Sequence, residues 1–426
     1  MGVFTRATAS RSRTRTATLS GLALLGASAL VLSGCSASGG GGEANDDQPA
    51  GDLSLKIGTL LPQTGQLAFL GPPEEAGVGL AAKEINDADL GIQLDVTYGD
   101  SGDPDNKAFA TTVPNLLGED VSAIVGAASS GVTKLVIDEV TGAGVIQFSP
   151  ANTSADFTTW DDNGLFWRTA PSDVLQGEVL GNLIAEDGNE TLGILYLNDA
   201  YGTGLAGFVK ENFEAAGGEV VEEVSYNAGD TSFDAQVSSL KAANPDAIAL
   251  IAFEETKTIV PALAYDPTKL YLADGNTADY SADLPAGILT GAKGTIPGLD
   301  TAGLGDFTDR LQAYWQEDEG QEELKDYSYA AESYDAVVLL ALAALQAGSV
   351  EGADIAAELQ NVSGGGDEPG EKCTTFEECA ALINDGEAAD YDGYSGPITF
   401  DENGDPTEAT IGIYEYKEDN SIERTN

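Results

Sequence analysis

The chain has no histidine, one methionine and three cysteines in 426 residues. The lack of histidine excludes Ser-His-Asp and Cys-His nucleophilic sites as they are usually built. It also excludes every histidine-ligated metal centre. Basic residues are scarce as well, with 19 Lys and Arg against 71 Asp and Glu. Four of those 19 (Arg6, Arg11, Arg13 and Arg15) fall in residues 1–34, a stretch that carries no acid. The rest of the chain therefore sets 15 basic residues against all 71 acids. Such a surface repels nucleic-acid phosphates and anionic membranes, so no nucleic-acid partner is expected. The plainest reading of the acid excess is a solvated face kept soluble by self-repulsion. An unbroken membrane-spanning run near the start is missing too. Residues 19–32 are apolar, but about 14 residues fall short of the roughly 20 that a spanning helix needs.

What is present suits a folded protein. Hydrophobic residues make up 42%, enough for substantial cores, and the length predicts about two to three domains. The most informative stretch is residues 124–154, IVGAASSGVTKLVIDEVTGAGVIQFSPANTS. It holds two copies of one device, an apolar run that ends in a loop of small polar residues. The first loop is Ala128-Ser129-Ser130-Gly131 and the second is Ser149-Pro150-Ala151-Asn152-Thr153. After the first, Val132, Leu135, Val136 and Val140 recur at helical spacing. In an open α/β sheet, ligands sit outside the carboxyl ends of the strands. Two neighbouring loops with hydroxyls and free N–H groups are thus expected to face one small anionic group.

The first fifty residues read as an address. A basic segment, the apolar run and then Leu32-Ser33-Gly34-Cys35 form a signal-peptide pattern over residues 1–34. Its end resembles a bacterial lipobox, which implies that Cys35 becomes the lipidated first residue of the mature protein. The alternative is a free Cys in an ordinary signal peptide. Two or more acyl chains anchor stably where one is marginal. Residues 35–51 follow as a Ser/Gly/acid-rich tether. A domain held on a tether at the outer face of the membrane suits a receptor feeding a transporter better than a metabolic enzyme.

Strand and helix patterns alternate along the remainder, which predicts parallel sheets with helices on both faces. About 390 residues exceed one such core, so two lobes are expected. The motifs LLPQTGQLAFLGPPEEAGVGLAAKEIN, GAASSGVTK, QFSPANTS, NDAYGTGL and GPITFDENGDP come in this order. Together they resemble the branched-chain amino acid (Leu/Ile/Val) binding proteins of ABC transporters, in a version that looks actinobacterial. That resemblance implies a type I periplasmic-binding-protein fold with three hinge crossings, near residues 168–171, 295–298 and 397–400. Lobe 1 is then expected to span 52–169 plus 298–397, and lobe 2 to span 170–297 plus 398–426.

Cys373 and Cys379 are the only cysteines left once Cys35 is assigned to the anchor, and the outer membrane face is oxidising. A disulfide is expected between them. A redox role is the alternative, but the spacing is not C-x-x-C. No cofactor and no metal are expected.

A zwitterionic amino acid needs donors for its carboxylate and acceptors for its ammonium. By resemblance, Ser130, the Ala151 carbonyl and both the hydroxyl and N–H of Thr153 match the family positions that grip the ligand's backbone groups. Ser129 and Asn152 flank them. Ser130 is also placed to cap the helix that follows. Tyr201 matches a family aromatic that covers the ligand; otherwise it is a surface turn tyrosine. Phe253 and Glu254, with Glu255, are candidates for the side-chain pocket and the ammonium contact, although either Glu also suits a helix start. The family's second-lobe acid falls near Asp274 and Gly275. Phe253 stands where the family has a second pocket tyrosine, so the side-chain preference departs from the Leu/Ile/Val pattern.

The expected function is capture of an amino acid by hinge closure and delivery to ABC permease subunits, with the protein a monomer and no chemistry involved. A protein for short amides or urea, a sensing receptor, and an extracytoplasmic hydrolase using carboxylates are the alternatives.

Overall fold

The computed structural model describes residues 52–300, 303–366 and 369–426. The signal peptide, the tether and Cys35 lie outside the described residues. Residues 50–426 form one compact unit.

The first sheet is built from the start of this unit. Its elements are β1 (Leu53–Leu60), α1 (Gly71–Ala88), β2 (Ile92–Thr97), α2 (Phe109–Gly118), β3 (Ala123–Gly126), α3 (Ser130–Gly142), β4 (Ile146–Ser149) and β5 (Phe166–Arg168). The strands pair in the order β2-β1-β3-β4-β5, all parallel. Every residue of β3 and β4 is buried, as expected of strands covered on both faces.

The chain then crosses into a second set. It comprises α4 (Asp173–Glu186), β6 (Thr191–Leu197), α5 (Ala200–Ala215), β7 (Glu219–Tyr226), α6 (Asp234–Ala243), β8 (Ala247–Ile251), α7 (Thr256–Leu263), β9 (Leu270–Leu272) and β10 (Lys293–Pro297). After β10 it returns to the first core through α8 (Gly305–Ala313), α9 (Ala330–Ala347), α10 (Gly352–Val362), β11 (Glu371–Cys373), α11 (Phe376–Asn384), β12 (Ala389–Gly393) and β13 (Gly396–Pro397). It ends in β14 (Ile411–Tyr416) and β15 (Ile422–Arg424), which extend the second sheet to β15-β14-β10-β9-β8-β6-β7. The pairs β10–β14 and β14–β15 are antiparallel; the other pairs of this sheet are parallel. Strands β11, β12 and β13 form a small third sheet that no sequence pattern announced.

Helix α9 is long and apolar enough to pass as a membrane span, but it is a core element. It is buried nearly all round and packs against α1, α10 and α11. Helix α2 runs through Pro114. Cys373 and Cys379 are bonded, with Cα atoms 5.4 Å apart, and join β11 to α11. The closed loop contributes about 2 kcal/mol by the chain-entropy account.

The third crossing differs from the expectation at residue 398. Ile398 and Phe400 pack in the first core, where the Phe400 ring meets Phe148 and Trp167. Asp405 is held there by Arg168. The chain therefore leaves the first lobe only after this turn, at about residues 407–410, where Thr407 N donates to Thr399 O and Gly298 N to Thr410 O. The apolar residues of 398–400 decide this, because they are buried among first-lobe aromatics and cannot swing with the second lobe.

Candidate functional site

The two strand-end loops of the first lobe are tied together. Ser149 Oγ donates to Ala127 O (2.7 Å) and accepts from Asn152 N (2.9 Å). Asn152 Nδ2 donates to Ala128 O (2.8 Å). Asn152 is thus a brace between the loops, not a wall of the cavity described below. The cap of α3 is Ser129, whose Oγ accepts from Val132 N at 3.3 Å. The sequence placed the cap one residue later. With Ser129 as cap, Ser130 is the first helical residue, at the positive end of the helix dipole.

Arg168 fixes the second loop from beneath. It is fully buried, and its Nη1 donates to Asn152 O (3.3 Å) and Ser154 O (2.7 Å). Its other edge grips Asp405 in a two-point pair of 2.6 and 2.8 Å. One guanidinium therefore holds both sides of Thr153 and anchors the third crossing. Thr153 O also accepts from Asp173 N at 2.6 Å.

The second lobe supplies an aromatic and acidic wall. Tyr201, in the first turn of α5, stacks on Phe253 with ring centres 5.3 Å apart and an angle of 13°. The Phe253 ring occupies the space that a side chain at position 275 would need, since a Cβ there would lie 2.7 Å from it; only glycine fits. Asp274 is buried and accepts from Tyr201 Oη (2.7 Å) and Gln176 Nε2 (3.0 Å) on one oxygen. Its other oxygen accepts from Tyr329 Oη at 2.8 Å. Tyr329 precedes α9 in the first lobe, so this bond crosses the cleft. Glu254 N to Gln66 O (3.4 Å) is a second crossing contact.

Asp173, fully buried beside Thr153, offers no such donors: neither carboxylate oxygen has a hydrogen-bond partner among the described residues. Burial pushes the Asp173 carboxyl well up and Asp274 nearby raises it further, opposed by the neighbouring Thr153 hydroxyl and Arg168. Burial also raises Asp274, opposed by the bonds from Tyr201, Tyr329 and Gln176. The three donors to Asp274 favour its charged form, whereas burial without such donors favours the protonated form of Asp173.

Between these walls lies a cavity of about 20 Å³, lined by Leu67, Leu70, Ala128, Ser129, Ser130, Ala151, Thr153, Tyr201, Phe253, Asp274, Gly275 and Tyr329. Eight sequence-nominated residues meet here: Ser129, Ser130, Ala151, Thr153, Tyr201, Phe253, Asp274 and Gly275. The volume holds about one water molecule, so a larger guest requires the lobes to part and the Tyr329–Asp274 bond to break.

Glu254 is not in this group. Its carboxylate pairs with Lys257 Nζ (2.8 Å) and faces an outer cavity of about 510 Å³ with Phe69, Tyr280 and Trp315. Glu255 folds back to accept from Phe253 N at 3.1 Å, and burial raises its carboxyl. Both helix-start readings fit better than an ammonium contact. Sequence reasoning missed Leu67, Leu70, Ala128 and Tyr329. The first three lie inside motifs already quoted. Tyr329 carries no local signal; its place follows from a left-handed backbone turn (φ 60°) that starts α9.

Two parallel α/β lobes linked by three crossings, with paired strand-end loops facing an aromatic and acidic wall, define a type I periplasmic-binding-protein fold. A family model described as periplasmic binding protein matches residues 54–420, and the chain belongs to that family. It is 34% identical over 194 residues to a leucine-, isoleucine-, valine-, threonine- and alanine-binding protein of Pseudomonas aeruginosa, covering 45% of this chain and 51% of that one. The chain thus spans about half the length of that curated relative. It is 27% identical over 313 residues to a Leu/Ile/Val-binding protein homolog of Brucella abortus, covering 70% of this chain and 80% of the relative. A crystal structure of a leucine-binding protein from Thermotoga maritima shares the fold, with a TM-score of 0.70 and 22% identity over 87% of this chain and 98% of that one.

Proposed function

We propose that the protein is an extracytoplasmic substrate-binding lipoprotein of an ABC importer. It captures an amino acid of branched-chain or related type and hands it to membrane permease subunits. One observation carries this reading: uncharged donors at Ser129, Ser130 and Thr153 face the Asp274 carboxylate across an apolar-walled cavity. That is the charge pattern of a zwitterion with an apolar side chain. The ligand carboxylate lies against the hydroxyls and the start of α3. Its ammonium lies against Asp274 and the Ala151 carbonyl. Leu67, Leu70 and Phe253 receive the side chain.

Capture is a hinge motion about the crossings at 168–171, 295–298 and 407–410. Opening breaks the bond between Tyr329 and Asp274, and the ligand ammonium takes its place at the carboxylate. The lobes meet at residues 169/170 and 297/298, and at the third crossing after residue 406. Cys35 tethers the domain to the outer membrane face, which keeps it near its permease. The named relatives support the ligand class, one being described as leucine-, isoleucine-, valine-, threonine- and alanine-binding and the other as a Leu/Ile/Val-binding protein homolog.

The test is a thermal-shift screen of the purified protein against amino acids, short amides and urea. A rise in melting temperature with leucine, isoleucine or valine is expected. A rise with amides or urea alone would replace the ligand class, and no rise with any of them would overturn the importer reading.

A further inference from the structure

A second cavity, of about 270 Å³, sits at the hinge on the far side of Tyr329 from the cleft. It is bounded by the returning crossing (Ile296, Pro297 and Leu299), by the segment before α9, and by β14 and β15. Both lobes therefore contribute to it. Its walls include Tyr327, Tyr329 and Tyr414.

Six charged residues line this cavity, Asp279, Asp300, Asp326 and Glu332 of one sign and Lys325 and Arg424 of the other, and of these Glu332 and Arg424 stand at the crossing itself. Glu332, in the first turn of α9, is 4% exposed, and its Oε2 meets no hydrogen-bond partner among the described residues. An ionised carboxylate oxygen kept from both water and donors is strongly disfavoured. Arg424 in β15 spends Nε on Asn426 O (3.2 Å) and Nη1 on Gly298 O (3.3 Å), and its guanidinium also lines the cavity. The two groups flank one residue. A Cβ at Gly298, where φ is +98°, would lie 2.4 Å from Glu332 Oε1. The side chain missing at Gly298 is what lets the carboxylate approach the crossing. Tyr414 lies within the fields of both Arg424 and Glu332.

We infer that this cavity is a second ligand site, which takes a small zwitterion with its ammonium on Glu332 and its carboxylate on Arg424. An ammonium group in the cavity supplies donors to the Glu332 carboxylate, which has too few of its own. A divalent cation fits poorly, because it asks for six or more oxygens, and no group of three potential metal ligands occurs among the described residues. The volume is below that of pockets for drug-sized ligands, which points to a molecule the size of an amino acid. Because the site draws on both lobes at the crossing, its occupant binds one lobe arrangement better than the other and shifts closure accordingly. The inference stands whether or not the cleft itself binds an amino acid.

Equilibrium dialysis with radiolabelled L-alanine tests it, using the wild-type protein, Glu332→Gln and Asp274→Asn. The expected result is two equivalents bound per chain in the wild type and one in each variant. A single equivalent in the wild type that survives in Glu332→Gln and vanishes in Asp274→Asn would overturn the hinge site and leave the cleft reading intact. The reverse pattern, one equivalent lost only in Glu332→Gln, would uphold the hinge site and overturn the cleft. No binding in any of the three would overturn the hinge site and leave the cleft to be judged by its own screen. Arg424→Gln, at a half-exposed position outside the core, should weaken the hinge equivalent about tenfold. It serves as the deciding variant if Glu332→Gln does not fold, and unchanged binding in it would overturn the inference.

Discussion

The two halves of the cleft are made differently. The polar part of the first-lobe half is two short loops in one stretch of chain, uncharged, working through hydroxyls and main-chain groups, with Leu67, Leu70 and Tyr329 beside them. The second-lobe half is gathered from Tyr201, Phe253 and Asp274–Gly275, three loops far apart in sequence, and works through a carboxylate and two stacked rings. The first half is held rigid from behind by Arg168 and Asp405. Its geometry is largely backbone and can recognise only what all ligands of one class share. The second half consists of side chains at loop tips, which can change one at a time. Recognition of the shared backbone groups is thereby divided between the lobes, the carboxylate going to the first-lobe loops and the ammonium chiefly to Asp274.

Asp274→Asn should break this division most severely. The carboxylate holds three donors now and the ligand ammonium in the working cycle. An amide in its place presents an N–H₂ to at least one of those donors. A loss of about 100-fold in affinity is expected, near 2.7 kcal/mol, measured by calorimetry with whichever amino acid raises the melting temperature. A loss below about threefold would mean that the charge of the second half is not what binds the ligand.

The halves also differ in what protons do to them. The first-lobe loops contain no titratable side chain, whereas buried carboxylates crowd the second lobe and the hinge. Burial raises Asp199, at the cap of α5, to about 6, and Glu332 to about 8. Both ionise near pH 4 in the unfolded chain. Between the unfolded and folded values the native state holds the extra proton, so stability falls as pH rises. The fall due to Asp199 is complete by about pH 6, and that due to Glu332 continues to about pH 8. Denaturant unfolding at pH 5.5 and 8.5 should differ by about 4 kcal/mol in favour of the lower pH. Most of the difference should vanish in Glu332→Gln. A remaining slope comes from other buried carboxyls such as Glu74 and Asp173 and from the acidic surface, whereas a slope unchanged by the substitution would show Glu332 to be ionised in the fold.

Thr153→Ala tests the first half. It removes one hydroxyl donor and leaves the N–H, the loop and the Arg168 support in place. About a tenfold loss of affinity is expected, similar for every ligand the protein accepts, because the lost contact is with the shared backbone groups. A loss that varied strongly from one side chain to another would mean that the Thr153 hydroxyl does not contact the shared backbone groups.

The same contrast explains how much could be read beforehand. The alternation of strands and helices, and the first-lobe loops at residues 128–131 and 149–153, were legible because each is local. A strand end, a small-residue loop and a helix start follow one another in the chain. Asp274 and Gly275 were reachable only through resemblance. Tyr329 was not visible at all, since nothing near it in sequence shows that α9 begins beside the cleft. The third crossing was misplaced because the turn at residues 398–406 looks like a connector. Only the packing of Phe400 against Phe148 and the pairing of Asp405 with Arg168 show that it belongs to the first lobe.

The smallest effect is expected at Glu254, and it sharpens the comparison because Glu254 and Asp274 competed for the same role in the sequence. Both are second-lobe acids next to cleft residues. Asp274 is buried and surrounded by donors, so its charge is focused on the cavity. Glu254 is half-exposed, already paired with Lys257, and turned to the outer cavity. Solvent screening and a competing cation leave a half-exposed carboxylate with little to give a ligand in the inner site. Glu254→Gln should therefore change affinity by less than about twofold, in the range of a weak surface ion pair. A tenfold loss in that variant, with Asp274→Asn little affected, would exchange the two residues and move the ammonium site outward to the wall shared with Tyr280 and Trp315.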